Sequence, residues 1–195
     1  MRFIKLAVVA GMLVTANSFA QEKYDIDLTH SNIGFSVRHM VVAKVPGNFK
    51  EFSGAILYDE KDLTKSSVNV TIKAGSINTQ NDRRDGHLRS ADFFDAENHP
   101  DITFVSKKIT KTKDGFTALG DLTIRGTTKE VELPFKILGT RKDARGARMG
   151  IEAGLTLNRF DYGVKWDKTL DDGNLIVSNE VAVAINLEVV ANKPQ

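Results

Sequence analysis

The sequence contains no cysteine. That absence removes thiol nucleophiles, thiolate metal sites, a disulfide framework and the lipobox cysteine that would carry a lipid anchor. Histidine is scarce as well, at positions 30, 39, 87 and 99 only, with no two at the close spacing of a preformed metal pair. The chain has no Gly-x-Ser-x-Gly elbow, no His-Glu-x-x-His helix and no glycine-rich phosphate loop. His30-Ser31 and His39 supply parts for acid–base chemistry, but residues this common are weak grounds for a catalytic site, and none is expected. Charge of one sign is also lacking. Arg2 and Lys5 fall in the first twenty residues, which hold no acid, so the remainder balances 25 basic against 25 acidic residues. No broad electropositive field for nucleic acid or anionic membrane follows from such a balance.

Long apolar runs are confined to the start. Arg2 and Lys5 precede an apolar stretch from Leu6 to Val14, and Ser18-Phe19-Ala20 offers small residues where a signal peptidase reads. Residues 1–20 are therefore expected to be a cleavable signal peptide that delivers residues 21–195, as one domain, to the periplasm. The apolar stretch is too short for a permanent span, and no later run approaches that length, so stable membrane insertion is not expected.

What is present is strand periodicity. Val68, Val70, Ile72 and Ala74 alternate with polar residues, as do Val131, Leu133, Phe135 and Ile137, and Ile151, Ala153, Leu155 and Leu157. Shorter runs occur at Tyr24-Ile26-Leu28, Ile33-Phe35-Val37 and Leu122-Ile124. Val181 to Val189 reads as the longest strand, with Ala182 and Ala184 on a mild outer face that suits a dimer surface or contact with a helix. Each pattern gives one apolar and one wet face. Turn residues at Pro46-Gly47-Asn48, Asp59 to Asp62, Lys113-Asp114-Gly115, Arg125-Gly126, Lys142 to Gly146 and Asp171 to Asn174 give hairpin-like spacings. About eight antiparallel strands in a sandwich or barrel are expected.

Between Gly75 and Pro100 the alternation stops and charges crowd together. Asn81 or Asp82 is placed to cap a short helix over about 82–97, with Leu88, Ala91 and Phe94 on one side. Such an insertion either covers one end of the sheet structure or makes a surface excursion. Asp82, Asp85 and His87 invite a metal reading, but pairing with Arg83, Arg84 and Arg89 is the more economical one. Arginines beside a cavity mouth also suit a phosphate or carboxylate. Eleven phenylalanines against one tryptophan and three tyrosines make an apolar interior that serves a lined pocket or, more commonly, a filled core.

Several motifs recur in an order that resembles the YceI-like, polyisoprenoid-binding family. They are Asp27 to His39, Gly47-Asn48-Phe49-Lys50-Glu51-Phe52-Ser53-Gly54, Arg84-Asp85 with His87-Leu88 and Asp92-Phe93-Phe94, Pro100 to Phe104, and Gly120 to Thr128. Asn158-Arg159-Phe160-Asp161-Tyr162-Gly163 matches the closing element with Tyr162 where the family usually has Phe. The resemblance implies an all-β, lipocalin-like, eight-stranded antiparallel barrel with the helical segment near one end. It further implies a pore for an isoprenoid lipid or quinone, no catalysis, no cofactor and, often, a homodimer. Inward candidates from alternation are Phe35, Val37, Val70, Ile72, Phe104, Leu122, Ile124, Val131, Phe135, Leu155, Leu157, Val183 and Ile185. His39, Arg84, Arg89 and Trp166 are the mouth candidates. Fatty acids or amides are the alternative cargo, and a small periplasmic hydrolase or isomerase using His39 is the alternative activity.

Overall fold

Alternating apolar residues can bury one face of a sheet only against another layer or by curling the sheet on itself. The computed structural model, which describes residues 21–144 and 146–192, takes the second solution. Eleven strand segments form one antiparallel sheet: β1 (Glu22–Ile26), β2 (Asn32–His39), β3 (Ala43–Phe49), β4 (Phe52–Tyr58), β5 (Ser67–Lys73), β6 (Ile77–Asn78), β7 (Asp101–Lys111), β8 (Phe116–Ile124), β9 (Thr127–Asp143), β10 (Gly146–Asn158) and β11 (Val177–Ala191). β1 and β2 act as one stave broken by a single 3-10 turn, as do β5 and β6, and β3 runs on into β4 across a bend at Lys50-Glu51. β11 closes the ring by pairing β2 along its first half and β1 along its second. The result is a closed, eight-stave, up-and-down antiparallel barrel with one short helix, α1 (Asp82–Arg89). Closure leaves no long open edge to template association.

The expected signal peptide at 1–20 lies outside the described residues. Several local expectations are corrected. Pro46 and Gly47 sit inside β3 rather than in a turn: Pro46 pairs with Ser36 and Gly47 with Phe35. The hairpin turn falls instead at Met40-Val41, both with positive φ. β9, not β11, is the longest strand, with 17 residues against 15, because its exposed polar extension beyond Ile137 pairs with the start of β10.

The helix is also shorter than the 82–97 expected. Asn81 caps it by accepting a hydrogen bond from the Arg84 N–H, and the Ser90 N–H and hydroxyl both donate to the His87 carbonyl, ending it at Arg89. Residues 91–97 continue as turns, with Asp95 at positive φ. The Arg pairing expected for Asp85 does not form. Asp85 is buried and accepts from the Thr79 amide at 2.9 Å and the Thr79 hydroxyl at 2.5 Å. The neighbouring Arg84 also turns to Thr79, donating from Nε to its hydroxyl oxygen and from Nη2 to its carbonyl, both at 2.7 Å. α1 is thus tied to the rim through Thr79. Both bonds fall on Asp85 Oδ1 and offset part of the cost of burying this carboxylate.

Candidate functional site: an apolar lumen with a polar rim

The inward faces of neighbouring staves meet in register. Val70 lies opposite Phe104, and Phe104 opposite Leu122. Phe135 lies opposite Ala153, Ala153 opposite Ile185, and Leu155 opposite Val183. Val183 in turn faces Phe35, and Val181 lies between Leu157 and Val37. These side chains ring the wall without meeting across the middle: they surround a cavity of about 440 Å³. An eight-stranded barrel is just wide enough either to fill with side chains or to hold one slender ligand.

Two glycines help to keep the centre open. A Cβ on Gly47 would lie 2.4 Å from Phe35 Cζ, and one on Gly120 would lie 2.7 Å from Phe104 Cζ. Each ring therefore lies flat over a glycine of an adjoining strand instead of projecting across the lumen. With a side chain at either position the ring would have to swing away from the wall.

All thirteen inward candidates line this cavity, and so do His39, Arg84 and Trp166. Arg89 does not. Its guanidinium donates to the Gly75 carbonyl at 2.7 Å and the Ile77 carbonyl at 3.2 Å, fastening the end of α1 to the turn before β6. The lining also includes residues that alternation cannot reach, because they come from turns and the helix: Leu88, Phe93, Phe94, Tyr162, Val164 and Ile176.

The helix end of the barrel carries most of the polar lining. Trp166 packs on Phe93 with centroids 5.5 Å apart, and the His87 ring stands edge-on to both. His87 Nε2 lies 2.9 Å from Asp92 Oδ2. Lys168 Nζ sits 5.9 Å from the Trp166 ring centroid. Arg159 is the buried cation of this end. It donates to the carbonyls of Val164, Trp166, Val177 and Ser178 at 2.7–3.0 Å, so one guanidinium organises the loop that follows β10 against the start of β11. Burial pushes its guanidinium below the usual arginine range, and the nearby Asp167 charge partly counters this. Burial likewise raises the Tyr162 phenol. His39 has no carboxylate partner among the described residues, which leaves the acid–base reading of that residue without its second group. At the opposite end Tyr24, Met149 and Val189 are fully packed, and Tyr24 meets Tyr58 edge-to-face at 5.7 Å.

Among the described residues one group could hold a metal ion: Asp27, His30 and Glu188, whose ligand atoms lie within 4.8 Å of one another. It sits outside the lumen, and Arg148 donates to both carboxylates, supplying the positive charge an ion would bring. The His30 hydrogen bond, the Thr29 amide and Arg148 hold the Asp27 carboxyl below its ordinary range against the opposing effect of burial.

A closed antiparallel barrel around an apolar lumen, with a polar and aromatic rim at one end, defines a hollow-barrel class of protein with room inside for a small apolar molecule. Residues 24–189 match the YceI-like domain family. A UPF0312 protein of Serratia proteamaculans is 38% identical over 181 residues, covering 90% of this chain and 94% of the relative. The chain belongs to the YceI-like family. Among solved structures it resembles Burkholderia cenocepacia BcnA, with a TM-score of 0.73 at 25% identity, covering 84% of this chain and 98% of that one. A polyisoprenoid binding domain from Saccharophagus degradans, implicated in plant cell wall breakdown, shares the fold with a TM-score of 0.62 at 18% identity, over 87% of this chain and 98% of that one.

Proposed function

We propose that this protein is a periplasmic carrier or reservoir for a polyisoprenoid chain, an isoprenoid quinone or a polyprenyl phosphate, and that it binds this cargo without transforming it. The observation that carries the reading is the unfilled apolar lumen of about 440 Å³. Each methylene removed from water contributes roughly 0.8 kcal/mol, so a long prenyl chain gains several kcal/mol by entering a dry tunnel. The thirteen wall residues hold the tail in this reading, and His39, Arg84 and Trp166 meet its head. Arg89 acts indirectly, by holding α1 in place. An apolar wall discriminates weakly among chains, so the rim has to supply most of the selectivity.

The reading includes residues 1–20 as the export signal, residues 21–195 as one domain, and a homodimer formed through the exposed Ala182 and Ala184 face of β11. No cofactor or metal takes part in it. Protein purified without detergent, extracted with organic solvent and analysed by mass spectrometry should release an isoprenoid in near-stoichiometric amount. Recovery of fatty acid or amide alone would reassign the cargo, and recovery of no lipid from protein whose lumen remains open would overturn the carrier reading.

A further inference from the structure

The β2–β3 hairpin carries an apolar tip where a polar one is the rule. Met40 is 44% exposed, Val41 51% and Val42 88%. Met40 and Val41 also adopt φ of 49° and 65°, left-handed conformations that hairpin turns ordinarily assign to Asn or Gly. A β-branched residue at positive φ is a costly choice. Stability alone gives no reason to place Val41 there, and strain of this kind concentrates at functional positions. The tip sits directly on the rim: His39, the residue before it, lines the lumen, and the Met40 N–H donates to the carbonyl of Ile176, another lining residue, at 2.8 Å. Immediately below the tip Arg38 and Lys44 are cross-strand partners, two cations side by side, and neither side chain makes an ion pair among the described residues.

We propose that this tip docks the barrel on a lipid bilayer, with Met40, Val41 and Val42 entering the acyl boundary and Arg38 and Lys44 resting on anionic phosphate headgroups. The inference rests on the carrier reading, since a membrane lipid must leave and re-enter a bilayer through the rim. An apolar apex above a cationic collar has the layering of an interfacial anchor. The near-zero net charge of the remainder of the chain supplies no long-range attraction, so the local pair provides the electrostatic part. Three small side chains give reversible contact rather than permanent insertion, which suits a carrier.

Co-sedimentation tests the proposal with two kinds of vesicle, one of phosphatidylethanolamine and phosphatidylglycerol and one of phosphatidylcholine alone. Uptake of a fluorescent prenol in vesicle-free solution is measured in parallel. Wild type should sediment with the anionic vesicles. Val42→Asp should weaken that association at least about tenfold, the effect of withdrawing one buried valine. The Arg38→Gln, Lys44→Gln double variant should lose about fivefold per charge on anionic vesicles and little on phosphatidylcholine. Prenol uptake in solution should survive in Val42→Asp. Wild type that binds neither vesicle while taking up prenol would overturn docking and leave the carrier reading standing; vesicle binding without prenol uptake would do the reverse. Unchanged vesicle binding by Val42→Asp, with a dimer falling to monomer in sedimentation velocity, would assign the tip to contact between copies and overturn the proposal.

Discussion

Ala153→Leu separates a hollow barrel from a filled one by the sign of a single free-energy change. Ala153 lines the lumen between Phe135 on β9 and Ile185 on β11. Leucine adds three carbons at that point. In a filled core the extra atoms force neighbours off their rotamers, and overpacking of this kind costs about 1–3 kcal/mol. Beside an empty lumen the same atoms enter unoccupied space and remove apolar surface from it. At roughly 0.8 kcal/mol per methylene, full burial contributes about 2 kcal/mol. Ala153 is only half-buried and the new side chain has open space on one side, so about 1 kcal/mol of stabilisation is expected.

The assay is urea unfolding of delipidated protein, with equal slopes required before midpoints are compared. The lipid-loaded form supplies the second half of the test. Ligand binding raises stability through the ratio of ligand concentration to dissociation constant. A leucine that occupies part of the tunnel should therefore reduce the lipid-induced gain while raising the delipidated baseline. A delipidated variant destabilised by 1 kcal/mol or more would refute the reasoning, because it would show that no space exists beside Ala153.

Gly120→Ala should destabilise by about 1–3 kcal/mol, since its Cβ would lie 2.5 Å from the Val105 carbonyl oxygen and 2.7 Å from Phe104 Cζ; urea unfolding checks the loss, and reduced prenol uptake checks that Phe104 has moved into the lumen. Arg159→Met should cost about 3 kcal/mol or more, because four carbonyls lose their donor at once, and amide exchange should show the loop after β10 opening before the barrel. Burial comes first among the causes that raise all three tyrosine phenols, Tyr24 to about 12. The folded state therefore keeps a proton that the unfolded chain releases near pH 10, so this contribution is complete below pH 10 and declines as pH rises toward 12. Absorbance titration should show native Tyr24 ionising well after free tyrosine, and ionisation of all three near pH 10 in folded protein would contradict the packing around Tyr24 and Tyr58.

The wall was legible in the sequence because its signal is local. Val70, Ile72, Leu122, Ile124, Leu155 and Leu157 stand in runs where every second residue is apolar, and a strand turns every second residue to the same face. The breaks were less legible. Pro46-Gly47 has the composition of a turn, yet Gly47 is needed opposite Phe35, a cross-strand demand that no short window contains. Met40-Val41 has the composition of a strand and forms the turn.

Arg84 stands within one of the family's motifs, whereas Trp166 suits the rim by its own chemistry, an apolar ring with a polar N–H. Arg159 also stood inside one of those motifs, but its task of gathering four carbonyls depends on a loop that folds back over it. Arg89 looks equivalent to Arg84 in sequence, yet it falls on the side of α1 away from the lumen. Hollowness itself left no trace in the periodicity. A ring of apolar side chains has the same pattern whether its members touch across the centre or stop short of it, and what separates the two is the closure of eight staves together with glycines placed under Phe35 and Phe104.

A crystal structure of protein purified without detergent or added lipid measures this difference directly. The account predicts continuous elongated density along the lumen, beginning at the Trp166 rim and in contact with Phe35, Leu155 and Val183. Ordered water filling that space, or wall side chains turned inward to occupy it, would contradict the claim that the barrel encloses a hydrocarbon chain.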